Sequence, residues 1–250
     1  MLAIIGGSGL TDLSNLDVRR RRVVRTPYGE PSGALTVGGL KGTEVVFLAR
    51  HGYSHSIPPH LVNYRANIWA LHSAGVAQIV SVASVGGILP VLGPGRIAIP
   101  AQILDYTYGR AQTFFDGAGQ PVTHVDFTEP YDRNLRTACL AAAGRASEPV
   151  HDGGVYATTQ GPRLETAAEI DRIERDGGDM VGMTGMPEAV LARELGMAYA
   201  AIAVVANHAA GRASSASSIR LDDIGAVLHE AMERVRRILE ALVDTVPGGR

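Results

Sequence analysis

The sequence predicts an α/β fold: a single domain over residues 1–250 in which a central mixed β-sheet is flanked by helices. Three observations lead there. The chain has 250 residues, 46% hydrophobic and 19% charged, enough apolar mass for one large core and too little charge for disorder. Its apolar runs are short and continuous, not alternating, as in strands covered on both faces. Stretches of helical period separate those runs, which is the alternation of an α/β domain.

In chain order, strands are predicted at 3–5, 45–49, 79–83, 97–99, 155–157 and 199–205. Helices are predicted at 62–74, 165–176 and 188–195. The last follows Pro187 at a first-turn position and stops before Gly196, a residue suited to the place just past a helix end. The stretch 135–143 is helical in character and rich in small residues. The final helix, 222–243, places Ile224, Val227, Leu228, Ala231, Val235, Ile238, Leu239 and Leu242 on one face, an amphipathic stripe that closes the domain. Residues 111–129, with Asp116-Gly117-Ala118-Gly119, show no period and read as a long loop of the kind that carries function. Residues 212–218, rich in serine and alanine, are loop-like too.

Composition excludes several classes. A formal net charge of −2 offers no bulk attraction for nucleic acid, and Arg19-Arg20-Arg21-Arg22, with Arg25 nearby, reads as a solvated face. No apolar run approaches the ~20 residues of a membrane helix. Met1-Leu2-Ala3-Ile4-Ile5-Gly6 reads as a strand and not as a leader. Cys139 is the only cysteine, so no intrachain disulfide forms; a buried structural thiol and a reducing, cytoplasmic setting are expected.

In open α/β sheets, ligands bind beyond the carboxyl ends of the strands. Those ends carry Gly6-Gly7-Ser8-Gly9, Arg50-His51-Gly52, Ser84-Val85-Gly86-Gly87 and Ala206-Asn207-His208, and Gly182-Met183-Thr184-Gly185 stands before Pro187. Gly7 and Gly9 fit a dinucleotide fingerprint, but Asp12 occupies its third glycine position; the Gly-Lys-Ser/Thr of a P-loop and the G-x-S-x-G elbow of a serine hydrolase are both missing. What remains is either a purely structural turn or one whose N–H groups and Ser8 hydroxyl suit a small anion. Arg50, directly after an apolar strand, is expected at the rim of a site, where its planar fork suits a phosphate oxyanion. Ser8, Arg50 and Thr184 together would give one anion several donors without a metal. His51, His55 and His60 lie in a segment broken by Pro58-Pro59, with no H-E-x-x-H and no cysteine pair, so they read as loop histidines and no metal is expected. Glu165 alone is a favourable first-turn charge, and Asn207 alone a turn residue. Paired across a pocket, they would offer a carboxylate that accepts and an amide that both donates and accepts.

Several blocks carry a resemblance over nearly the whole chain. They are Ala3-Ile4-Ile5-Gly6-Gly7-Ser8-Gly9-Leu10, Thr26-Pro27-Tyr28-Gly29, Leu48-Ala49-Arg50-His51-Gly52, residues 62–71, Gln160-Gly161-Pro162-Arg163 and Gly182-Met183-Thr184-Gly185-Met186-Pro187-Glu188. With them the chain resembles the trimeric purine nucleoside phosphorylase and methylthioadenosine phosphorylase family, and within it the bacterial methylthioinosine branch. The resemblance implies a fold of the nucleoside phosphorylase type, a homotrimer, and cleavage of a purine nucleoside with inorganic phosphate as co-substrate and no cofactor. By resemblance, Ser8, Arg50, His51, Ser84 and Thr184 match phosphate-binding positions, and Ala83 stands where the family usually has Asn or Thr. Met183 matches the residue packed on the ribose. Asn207 and its neighbours His208 and Ala209 match the base-binding strand end, and Leu164 stands where an aromatic often stacks on the base. His124 matches a histidine that closes the site from a neighbouring subunit. Leu221 and Ile224 match the pocket for a methylthio group, or else only pack the C-terminal helix.

Members acting on 6-aminopurines carry Asp at the positions of Asn207 and Ala209, whereas members acting on 6-oxopurines carry Asn at the first and Glu at the position of Glu165. The resemblance at Asn207 and Glu165 therefore implies a 6-oxopurine and makes these two the catalytic pair. The protonated N1 of hypoxanthine donates to a carboxylate, while the bare N1 of a 6-aminopurine repels it; a mismatched buried polar pair costs about 1–3 kcal/mol. With apolar Leu221 and Ile224 at the 5′ end, the expected substrate is 5′-methylthioinosine. A general inosine/guanosine phosphorylase, a methylthioadenosine phosphorylase and a non-catalytic nucleoside-binding module are the other readings.

Overall fold

The computed structural model describes residues 1–244 apart from 118 and 120; the end of the expected 1–250 domain, and Ala118 of the expected loop, lie outside the described residues. Among the described residues, eleven strands join in one mixed sheet. They are β1 (Leu2–Gly6), β2 (Asp17–Arg22), β3 (Leu35–Leu40), β4 (Thr43–Ala49), β5 (Gln78–Gly87), β6 (Ile97–Ile99), β7 (Gln102–Asp105), β8 (His151–Asp152), β9 (Val155–Thr158), β10 (Met180–Gly182) and β11 (Ala198–His208). The helices are α1 (Tyr64–Ser73), α2 (Arg133–Arg145), α3 (Ala167–Arg175), α4 (Gly185–Glu194) and α5 (Leu221–Val243). At the centre β4, β1, β5 and β11 run parallel. Antiparallel β3 and β2 extend the β4 side, β10 leads to β9 and β7, and β6 with β8 lies beyond β11.

Successive residues of a strand face opposite ways. Leu2 and Ile4 of β1, with Val45 and Phe47 of β4, belong to the core under α2 and α5, whereas Ala3, Ile5, Val46 and Leu48 belong to the core under α1 and α4. Both faces are roofed, so these strands read as unbroken apolar runs. On α5, Leu228, Ala231, Val235, Ile238, Leu239 and Leu242 of the expected stripe are buried, while Ile224 and Val227 are half-buried. Cys139 of α2 is fully buried, and burial pushes its thiol up to about 12.

The elements depart from expectation in ways that have local causes. The helix expected from 165 starts at Ala167, because Thr166 caps it: its hydroxyl accepts from the Glu169 N–H, and the Glu169 carboxylate accepts from the Thr166 N–H. Glu165 is thereby left in the loop before the helix. α4 begins two residues before Pro187, but Met186 is extended (φ −120°, ψ 140°), as the residue before a proline must be, and regular helix starts at Pro187. Gly196, with φ +66°, closes it as expected. Apolar patterning does not reveal β2, β3, β7, β8 or β10. All six residues of β2 are exposed, Arg19 to Arg22 among them, so this edge strand is the solvated face expected there; its charge guards the edge and erases the apolar signal. β3 is broken by two glycines, and β7, β8 and β10 have four residues or fewer. No helix or strand lies between β7 and α2 among the described residues, in keeping with the long loop, and residues 212–218 hold only the short turn Ala213–Ser215. No helix among the described residues is long and apolar enough to cross a membrane.

Candidate active site

The sheet forks at β5. β11 pairs with one edge of it from Gln78 to Gly87. The other edge is shared: β1 covers residues 78–81, and antiparallel β10 covers Gly86 and Gly87. Between them, residues 82–85 have no strand beside them on that edge. Over this gap lies a cavity of about 360 Å³, walled by the residues that follow β1 (Gly7, Ser8), β4 (Arg50, His51) and β10 (Met183, Thr184) and floored by Ala83 and Ser84. The fork explains why several strand ends converge there.

Arg50 is not at a rim. It is completely buried, and four hydrogen bonds hold it. Nε and Nη2 donate to the two carboxylate oxygens of Glu188 on α4 at 2.7 and 2.9 Å. Nη2 also donates to Ser81 Oγ (2.6 Å), where the pairing with β1 ends, and Nη1 to the Val82 carbonyl (3.0 Å), the first residue of the stretch of β5 that lacks a strand on that edge. A guanidinium has five N–H groups, so one Nη1 hydrogen is left over. Tyr199 of β11 donates to Glu188 at 2.9 Å. Burial opposes charge on Arg50, but the Glu188 carboxylate outweighs it and raises the guanidinium pKa. Gly7 makes this fit possible, since a Cβ there would lie 2.7 Å from the Val82 carbonyl oxygen and 2.8 Å from Arg50 Nη1.

Ser8 Oγ lies 3.3 Å from Nε2 of His55, whose ring meets that of His51 edge-on at 4.8 Å. His51 Nδ1 is 2.8 Å from the Ile57 carbonyl, an acceptor, so Nδ1 carries the hydrogen. Burial and the neighbouring Arg50 charge push His51 down to about 4. It is therefore neutral near pH 7, with Nε2 a bare acceptor. Thr184 is buried, its N–H 3.4 Å from the Tyr156 hydroxyl.

Opposite these groups, a bulge at Ala206 inserts one residue between Val205, which faces Val85, and Asn207, which faces Gly86. Asn207 and Ala209 then line the cavity. The Asn207 amide donates one hydrogen to the His208 carbonyl (2.6 Å), which leaves the second hydrogen and Oδ1. Glu165 lines the same cavity, and its Oε1 accepts from Thr159 Oγ1 at 2.5 Å. Burial raises the Glu165 pKa, and the Thr159 bond works against that rise. Leu164 and Ile224 also line the cavity.

Three expected residues do not line the cavity. His208 alternates outward from Asn207, with Nδ1 2.8 Å from Ser214 Oγ. Leu221, the first residue of α5, is 65% exposed, ahead of the turns where the helix meets the core; Ile219, two residues earlier, takes the place beside Ile224. His124 is exposed on the long loop. Sequence reasoning also passed over His55 and Pro58 as site residues, although both follow a strand's carboxyl end, which is the signal that marks Arg50. Among the described residues, no group of three or more His, Cys, Asp or Glu side chains is placed to share a metal ion.

Known proteins resemble this chain over nearly its whole length. The phosphorylase superfamily matches residues 1–244. The chain is 52% identical over 242 residues to the probable S-methyl-5′-thioinosine phosphorylase of Pseudomonas syringae pv. tomato, covering 97% of this chain and 98% of that one. It is 45% identical over 254 residues to the 6-oxopurine nucleoside phosphorylase of Pyrococcus furiosus, covering 100% and 94%. Among solved structures, methylthioadenosine phosphorylase from Schistosoma mansoni in complex with adenine superposes with a TM-score of 0.94 at 32% identity, covering 100% and 92%. The chain belongs to the phosphorylase superfamily.

Proposed function

We propose that the protein catalyses phosphorolysis of 5′-methylthioinosine to hypoxanthine and 5-methylthioribose 1-phosphate, a purine-salvage reaction, as a homotrimer in the cytoplasm. The observation that carries this is one cavity lined on one side by Ser8, Arg50, His51, Ser84 and Thr184 and on the other by Asn207 and a Glu165 carboxylate already held by a donor. Phosphate sits against the first group, where the spare Nη1 hydrogen of Arg50 and the hydroxyls donate to it. His51 does not donate through Nε2; it offers that lone pair to the hydrogen of HPO₄²⁻. Ala83 adds no polar group to the floor, so the Ser84 hydroxyl is the donor there. Met183 packs against the ribose.

The bond from C1′ to N9 breaks ahead of attack, which gives an oxocarbenium-like sugar and a purine anion. Asn207 donates to N7 and Glu165 accepts from N1–H, so negative charge developing on the purine meets groups already in place. Phosphate then takes C1′ with inversion and no covalent enzyme intermediate forms; the new phosphate monoester gives up its proton and the purine anion takes one from water, so that it leaves as hypoxanthine. The gain is positional and electrostatic. Ile219 and Ile224 offer the 5′ substituent apolar surface and no hydrogen bond. His124, exposed on its loop, closes the cavity of a neighbouring copy in this reading. A broader 6-oxopurine nucleoside specificity is the second reading, favoured by the name of the Pyrococcus relative.

The test compares kcat/KM for methylthioinosine, inosine and methylthioadenosine, with and without phosphate. Phosphate-dependent turnover led by methylthioinosine is expected. A tenfold lead for methylthioadenosine overturns the base-site reading, equal rates on inosine favour the broader specificity, and no turnover leaves a nucleoside-binding module.

A further inference from the structure

Glu165 stands out because its partner is a hydroxyl and not a cation. Thr159 directly follows β9, and its N–H donates to the Gly182 carbonyl of β10 at 2.8 Å, so strand pairing fixes the residue independently of Glu165. From that place its Oγ1 has two acceptors in reach: Glu165 Oε1 at 2.5 Å and the Gly182 carbonyl at 3.3 Å. A hydroxyl has one hydrogen. Pointed at Glu165, it stabilises the carboxylate. Turned to Gly182, it leaves Oγ1 free to accept from a protonated Glu165. Both protonation states are thus accommodated with no heavy atom moved.

We infer that Thr159 sets the base preference of the site by holding Glu165 as a carboxylate, and that protonating Glu165 turns the same site toward 6-aminopurines. The inference rests on the proposed contact of Glu165 with the base N1. An ionised Glu165 accepts from the N1–H of a 6-oxopurine; a protonated one donates to the bare N1 of a 6-aminopurine. The balance is fine because burial already favours the protonated form. The charged groups around Glu165 are largely self-compensating. Arg163 in the same loop pairs through both Nη atoms with Glu169 of α3 at 2.7 and 2.8 Å, and Arg172 lies 3.7 Å from Asp176. Tyr106 and Tyr108 line a second cavity of about 210 Å³ that shares Glu165, and His51 and His55 line the first. Among the described residues, no cation pairs directly with the Glu165 carboxylate, whose side-chain partner is Thr159.

The experiment measures kcat/KM for methylthioadenosine over that for methylthioinosine from pH 5 to 8, a ratio in which phosphate titration cancels. In the unaltered enzyme the ratio should rise about tenfold for each unit the pH falls, as expected for one proton. Thr159→Val should raise it at least about tenfold at every pH, the equivalent of one pKa unit. Thr159→Ser, which keeps the hydroxyl, should restore it to within about threefold. Glu165→Gln should abolish the pH dependence. A Thr159→Val ratio equal to that of the unaltered enzyme, with Glu165→Gln still altering discrimination, overturns the role of Thr159 alone. A flat ratio unaffected by Glu165→Gln overturns the contact of Glu165 with the base, and this proposal with it.

Discussion

Glu188→Gln isolates the charge that keeps Arg50 in the core. Both side chains of this pair are buried to within 1% of completely. Glutamine fills the same space, but its amide accepts at one oxygen only and turns a donor toward the guanidinium, so one of the two contacts to Arg50 is lost and the other loses its charge. Removing one partner of a buried pair costs about 3–5 kcal/mol, most of it the penalty of the charge left behind. For a chain of this length that corresponds to a fall in Tm of roughly 6–20 °C. The assay is thermal unfolding by circular dichroism at pH 7, run beside the double variant Arg50→Met/Glu188→Leu. Without a stranded charge, the double variant should lose less than Glu188→Gln alone. A fall below about 3 °C for Glu188→Gln, or a double variant less stable than the single one, would refute the view that Arg50 is a dry charge held by this carboxylate.

Two further outcomes follow from the same geometry. His51 is held neutral, with its pKa pushed to about 4 against an ordinary value near 6.5. Between those values the unfolded chain binds a proton that the folded one refuses, so stability contributed by His51 is present above about pH 6.5 and lost as pH falls toward about 4; an NMR titration of the His51 ring with a midpoint at or above 6.5 contradicts this. Gly7→Ala drives a methyl to 2.7 Å from the Val82 carbonyl oxygen and 2.8 Å from Arg50 Nη1 in a fully buried setting. Overpacking of this kind costs about 1–3 kcal/mol, so if it falls on the Arg50 contact, kcat/KM measured against phosphate should drop about fivefold or more; an unchanged value shows that Arg50 does not need this approach.

Some of this was legible residue by residue. The chain pattern Thr166-Ala167-Ala168-Glu169 is a capping box, and it places the start of α3 at Ala167 and Glu165 outside the helix, a signal that apolar periodicity alone overlooks. Glycine after strand ends and apolar runs in β1, β4, β5 and β11 marked where a site would open. The burial of Arg50 was not legible, because the Glu188 that neutralises it is 138 residues away in sequence. The continuous apolar run of β11 was legible, but the bulge that aims Asn207 was not, since the extra residue is defined only against β5.

By itself, then, the sequence determined the α/β class, the buried central strands, the amphipathic closing helix and the strand ends that hold Ser8, Arg50, Thr184 and Asn207. These follow from period, capping and turn chemistry, which act over a few residues. Tertiary structure decided that β1 and β10 share one edge of β5 and leave the gap where the cavity lies. It also decided that Ile219 and not Leu221 faces that cavity, and that Thr159 meets Glu165. Those are matters of which distant groups satisfy one another once water is excluded, and no local pattern encodes the partner.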